Sequence, residues 1–151
     1  MSQLEGAQTT QEELDLRPAP QPDEVTSFYW EAADEGRLVL QRCEACGRFQ
    51  YPPELVCTYC QHQSFEHVEL SGAATLYSFC LVERPFHAGF VSQVPYVLAL
   101  VELVEQPGLR LLTNILEADV DQLSIGMELE VCFEKLGETH LPQFRPAKAR
   151  R

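Results

Sequence analysis

Two cysteine pairs constrain this chain more than any other feature: Cys43-Glu-Ala-Cys46 and Cys57-Thr-Tyr-Cys60, with ten residues between them. Two intervening residues let each pair wrap one side of a tetrahedral ion, with metal–sulfur bonds of about 2.3 Å, while the turn aims backbone N–H groups at the sulfurs. Gly47, directly after the first pair, supplies the backbone freedom that turn requires. Four thiolates leave no open position for water or substrate. The pattern therefore predicts one structural Zn²⁺ held by Cys43, Cys46, Cys57 and Cys60, not a catalytic metal. The spacer suffices for a ribbon hairpin through Arg48–Tyr51 and Pro52–Pro53. Iron in the same sulfur tetrahedron and a redox dithiol are the competing readings, and a dithiol normally needs a thioredoxin-like βαβ setting that is absent here. His62 and His67 follow closely, but with four thiols at hand they read as exposed polar positions. Cys80 and Cys132 stand alone in apolar surroundings and read as buried thiols.

Composition divides the rest. Residues 1–22 are polar, acidic and interrupted by Pro18, Pro20 and Pro22, so they cannot bury enough apolar surface to offset their ordering entropy and read as a flexible arm. Residues 23–36 read as a helix, with Asp23 as cap, acids in the first turn and Gly36 at the end. Phe28, Tyr29 and Trp30 are consecutive and spread around that helix. Either one packs on the core while the others form a partner-binding surface, or all three tuck under the ribbon. Residues 37–64 make the ribbon, entered by a strand at Leu38–Cys43. Residues 65–147 are rich in β-formers, with candidate strands Ala74–Val82, Tyr96–Val104, Leu109–Leu116 and Met127–Leu136. Pro107–Gly108 marks a tight hairpin, and Glu117–Gly126 reads as a short helical or turn segment. Four or five such strands without long helices predict a small barrel, best matched by the five-stranded OB type.

The formal charge is −12, from 23 acidic and 11 basic residues. Nucleic-acid binding needs a basic face that displaces condensed counterions, so DNA and RNA are disfavoured as partners. Arg17 is the one base in residues 1–36. At the other end Arg145, Lys148, Arg150 and Arg151 reverse the sign, and the basic tail 148–151 reads either as a solvated terminus or as a contact for an anionic ligand. The start lacks the features of a secretory signal, and no apolar run approaches the roughly 20 residues that span a bilayer. A soluble, cytoplasmic protein with no membrane partner is expected.

A catalytic constellation is hard to find. His87 sits in the loop Arg84–Phe90 between two aromatics, but no nucleophile elbow, Walker loop, HExxH or dinucleotide fingerprint accompanies it.

The order of motifs is informative. The knuckles with Gly47 and Pro52–Pro53, then Val68–Ser78, Val94–Leu103, Ile125–Val131 and Leu141–Ala147, resemble the zinc-ribbon plus OB-fold proteins that accompany thiolase-superfamily enzymes, over residues 24–147. The resemblance implies a mainly β fold with an N-terminal helix, a rubredoxin-like zinc ribbon and a C-terminal OB-fold barrel. It also implies a non-catalytic accessory subunit of an acyl-CoA thiolase or retro-aldolase, as in steroid side-chain or related acyl-CoA degradation, with an acyl-CoA hydratase as a further partner. Phe28, Tyr29 and Trp30 would then face the partner enzyme, while Arg84, Phe86, His87, Phe90, Arg145 and Lys148 would lie near the acyl-CoA. Glu54 departs from the family, where arginine often stands. A second reading is an OB-fold binder of single-stranded nucleic acid, in which Tyr77, Phe79, Phe86, Phe90 and Tyr96 stack bases. The charge opposes it. A zinc enzyme using His87 would need an open metal position that four thiolates do not leave.

Overall fold

The computed structural model describes residues 16–148. Most of the acidic arm (1–15) and the end of the tail (149–151, with Arg150 and Arg151) lie outside the described residues. The helix, α1, spans Ser27–Asp34. Asp23 caps the turn leading into it: its carboxylate accepts from the N–H groups of Val25 (3.0 Å) and Thr26 (2.8 Å), and the Thr26 hydroxyl accepts the Asp23 N–H (3.1 Å). At the other end Gly36 N–H bonds Ala33 O and Arg37 N–H bonds Ala32 O, the paired bonds of a Schellman cap. Tyr29, Ala32 and Ala33 are the residues α1 buries.

The ribbon is a three-stranded sheet in the order β2-β1-β3, built from β1 (Val39–Cys43), β2 (Phe49–Gln50) and β3 (Phe65–Glu69), all antiparallel. Phe65–Glu69 thus completes the ribbon, where the division by composition opens the barrel at residue 65. Its β-rich character does not distinguish a ribbon edge from a barrel strand. The barrel proper closes in the order β4-β5-β6-β8-β7. Its strands are β4 (Ala73–Val82), β5 (Tyr96–Leu103), β6 (Arg110–Ile115), β7 (Glu128–Leu136) and β8 (Thr139–Pro146). The first four match the expected segments to within a residue at each end.

β8 is the strand the sequence hides. Pro142 and Pro146 lie within it, and proline cannot donate to a ladder. It survives because its pairing is one-sided: it runs antiparallel to β7 from Thr139 to Pro146 but meets β6 at the single parallel position Ile115–Phe144.

Alternation fills the interior. Val97, Ala99, Val101 and Leu103 of β5 point inward, as do Leu111, Thr113 and Ile115 of β6, around a fully buried Phe144. The same core continues through Leu70 into Leu38, Leu40, Phe49 and Tyr29, so ribbon, helix and barrel share one apolar interior. Gln106, at the tip between β5 and β6, reinforces the join by accepting the Phe49 N–H (2.9 Å) and donating to Phe49 O (3.0 Å). No described helix is long and apolar enough to cross a membrane.

Candidate functional site

β1 ends on Cys43, and the chain turns back so that Gly47 N–H bonds Cys43 O (2.9 Å) and Cys43 N–H bonds Arg48 O (2.9 Å). The second knuckle repeats this geometry: Gln61 N–H bonds Cys57 O (2.9 Å) and Cys57 N–H bonds His62 O (2.8 Å). Gly47 (φ 72°) and Gln61 (φ 66°) occupy the same left-handed position, one residue past each pair. The two turns bring Cys43 Sγ to 3.6 Å from Cys60 Sγ and Cys46 Sγ to 3.7 Å from Cys57 Sγ, with all four sulfurs within 4.8 Å of one another. A disulfide needs about 2.05 Å. A tetrahedron with 2.3 Å zinc–sulfur bonds has edges of about 3.8 Å, so the spacing is that of a metal site.

Cys43 and Cys57 are buried, and Cys46 and Cys60 are exposed. Burial opposes the Cys57 thiolate, yet the N–H groups of Cys60 and Tyr59 hold its pKa down to about 7. For Cys60 the His62 N–H favours ionisation, but burial and the neighbouring thiols push it up to about 12. Four clustered thiols resist ionising together. A divalent cation removes that conflict, which is why such a site binds metal with release of protons. Bound zinc would supply the closure of the ribbon rather than any bond-making step.

Two glutamines that nothing in the spacing singles out hold the site in place. Gln41 exchanges both amide bonds with the Glu54 backbone (3.1 and 3.3 Å), while Gln50 donates to Val56 O (3.2 Å) and accepts from Thr58 N–H (3.0 Å). Both are buried. They replace the ladder that the irregular segment 51–58 lacks. The only sequence signal is an amide side chain within each of β1 and β2. His62 and His67 are exposed and outside the sulfur cluster; His67 stacks on Phe28 at 3.7 Å between ring centroids, where helix meets ribbon.

The three aromatics divide unequally. Tyr29 is 4% exposed, edge-on to Trp30 (4.9 Å) and against Tyr51 (5.6 Å), and burial pushes its hydroxyl pKa well up. Tyr29 therefore lies in the core, and of the three rings expected to face a partner only Phe28 and Trp30, both half-buried, keep some exposure.

The residues expected near an acyl-CoA do not converge. The loop Arg84–Phe90 follows the end of β4, with Phe86 91% exposed and His87 Nδ1 accepting the Gly89 N–H (3.0 Å). Phe90 packs on Tyr96 (5.6 Å). Lys148 lies by Thr75 and Glu128, along a groove of about 700 Å³ near the start of β4. Thr75 and Val82 are seven residues apart on that strand, about 23 Å at the usual rise. Arg145 is committed to two carboxylates, Glu130 (2.9 Å) and Glu117 (3.0 Å), and is no free cation for phosphates. Cys80 is exposed and Cys132 half-buried, because both fall at strand positions that point away from the barrel interior; neither is the core thiol expected.

The ChsH2 rubredoxin-like zinc ribbon domain matches residues 30–66 and the ChsH2 C-terminal OB-fold domain residues 67–134. A probable enoyl-CoA hydratase alpha subunit from Thermomonospora curvata is 40% identical over 141 residues, 93% of this chain but 43% of that protein, so the chain spans less than half of this relative. A DUF35 domain-containing scaffold protein from Methanocaldococcus jannaschii is 32% identical over 67% of this chain and 70% of its own length. The benzoylsuccinyl-CoA thiolase subunit BbsA of Geobacter metallireducens is 33% identical, over 60% of this chain and 57% of that one. Among solved structures, the Ltp2–ChsH2(DUF35) aldolase aligns with a TM-score of 0.75 and 38% identity over 85% of this chain and 98% of that one. With both domains matched in order and four cysteines gathered into a site for one zinc ion, the chain belongs to the ChsH2 family of DUF35 zinc-ribbon plus OB-fold proteins.

Proposed function

We propose that this chain is a non-catalytic accessory subunit of a thiolase-fold acyl-CoA aldolase or thiolase, acting in the breakdown of steroid side chains or related acyl groups. One observation carries the reading: this fold aligns with nearly the whole ChsH2 chain named in the Ltp2–ChsH2 aldolase. The closed sulfur site supports it, as does His87, whose Nδ1 accepts from the Gly89 N–H and which pairs with no nucleophile among the described residues, since a subunit that contributes contact area needs no reactive groups. Phe28 and Trp30 on α1, beside the ribbon, are the surface for the thiolase-fold partner. Phe86 and the rest of the loop Arg84–Phe90 are the side nearer the substrate entrance, and the basic end from Lys148 onward is the candidate contact for CoA phosphates. A hydratase that delivers the acyl-CoA is a further partner, by analogy with the Thermomonospora relative.

A nucleic-acid ligand is the weaker alternative. One face of Tyr77, the best-placed exposed ring, is covered by the Arg110 guanidinium at 3.6 Å, and Arg110 is itself paired with Glu102. A free stacking platform with its own cations is what such binding requires. The accessory role is tested by coexpression with a thiolase-fold acyl-CoA enzyme from the same organism. The expected result is co-elution on size exclusion and a gain in acyl-CoA cleavage that the chain alone does not produce. Identical migration and turnover of the enzyme with and without the chain would refute it.

A further inference from the structure

We infer that the barrel carries a guanidinium-binding site, filled here by Arg17 of the chain's own arm, and that the arm is an exchangeable intramolecular ligand holding the loop Arg84–Phe90. The inference is independent of the accessory role. Arg17 meets Glu134 fork to fork, Nη1 donating to Oε1 at 2.7 Å and Nη2 to Oε2 at 3.1 Å, across 117 residues of sequence. The receptor carboxylate is braced from the barrel side. Gln143, 4% exposed, donates to Glu134 Oε2 (3.1 Å), and its own Oε1 accepts from Thr113 Oγ1 and Asn114 N–H (2.8 Å each). The Phe90 ring faces the cation with its centroid 5.6 Å from Cζ. A planar fork beside an aromatic ring selects arginine over the point charge of lysine.

Gly89 gives a second, separate observation. Its φ is not in the left-handed region, so its own backbone does not demand glycine. A Cβ there would nevertheless lie 2.3 Å from Leu16 O and 2.5 Å from Arg17 N. The missing side chain is the space the arm occupies. Arg17 Nε is buried with no acceptor, so the closed state leaves one donor unmet. Pro18, Pro20 and Pro22 then tie the arm to Asp23 through a stiff spacer, which keeps the ligand close to its site after release.

Hydrogen exchange of the full-length, zinc-loaded chain tests this. The reporters are the amides of Phe90, Val91, Gln93 and Val94, bonded to carbonyls of His87, Ala88 and Phe90 in the loop and the turn that follows it. Arg17→Ala, Glu134→Gln and Gly89→Ala should each speed their exchange by about tenfold or more, with ribbon amides unchanged as the control for folding. An N-acetylated, C-amidated Leu-Arg-Pro tripeptide added to the Arg17→Ala chain should restore protection saturably, and the Leu-Lys-Pro peptide should not. Unchanged exchange in Arg17→Ala and Glu134→Gln would overturn the docked arm. Failure of the arginine peptide to protect, or equal protection by the lysine peptide, would overturn the guanidinium site.

Discussion

The four zinc ligands are not equivalent. Cys43 and Cys57 are buried at the hinges of the two knuckles, whereas Cys46 and Cys60 face solvent. Water can stand in for a lost ligand only where it can reach the metal. Cys60→Ser is therefore expected to retain weakened zinc, while Cys57→Ser should purify without stoichiometric metal and with an unfolded ribbon, since structural zinc contributes roughly 10 kcal/mol or more of local folding free energy. Metal analysis with ribbon amide spectra separates the two, and equal zinc content would contradict it. The ligand set is legible in the chain because spacing alone dictates which thiols meet. Gln41 and Gln50 are not legible, because their task is set by the irregular backbone of segment 51–58, which only the folded chain reveals. Glu134 makes a pH prediction at the same scale. Its hydrogen bond from Arg17, opposed by burial and aided by Gln143, holds its pKa below the usual carboxylate value. A depressed folded pKa contributes stability that is fully present above about pH 4.3, the unfolded value, and is lost as pH falls through the folded one. Chemical denaturation between pH 6 and 3 should show Glu134→Gln with a shallower loss of stability than the natural chain.

Among the elements, α1 separates two jobs that three adjacent aromatics leave ambiguous. Consecutive residues on a helix point about 100° apart, so only Tyr29 enters the core, and Phe28 and Trp30 flank it. Tyr29→Ala should cost about 3–5 kcal/mol, the usual range for removing a large core aromatic, read by urea unfolding. Phe28→Ala should cost about 1.5 kcal/mol or less, with its larger effect on assembly with the thiolase-fold partner proposed above. Comparable stability losses would dissolve this division of labour. The strands β4 to β7 are legible because β-branched and apolar residues alternate between turn residues. β8 is not, because tolerance of Pro142 and Pro146 depends on having β6 beside it at one position only, a fact of topology that local composition does not carry. His140 adds a tether no motif announces: its N–H donates to Asp34 at 2.7 Å and ties β8 to the end of α1.

Across the whole molecule, ribbon and barrel share one core, for Leu38, Leu40 and Phe49 lie in the same cluster as Val101 and Phe144, so the two are expected to unfold together. Stripping zinc with a chelator should accordingly lower the thermal midpoint of the barrel as well as unfold the ribbon. Calorimetry that left the barrel transition in place would show two independent units instead. At this scale the net charge of −12 also sets the expectation that single-stranded DNA does not bind at physiological salt, checked by anisotropy titration. The Gln106 amide has a geometric consequence for any assembly that includes this chain. By satisfying both backbone groups of Phe49, it sets the angle at which barrel and metal module meet, through a contact 57 residues apart in sequence. Whatever grips one end thereby aims the other, and the chain behaves as a set square in place of a hinge.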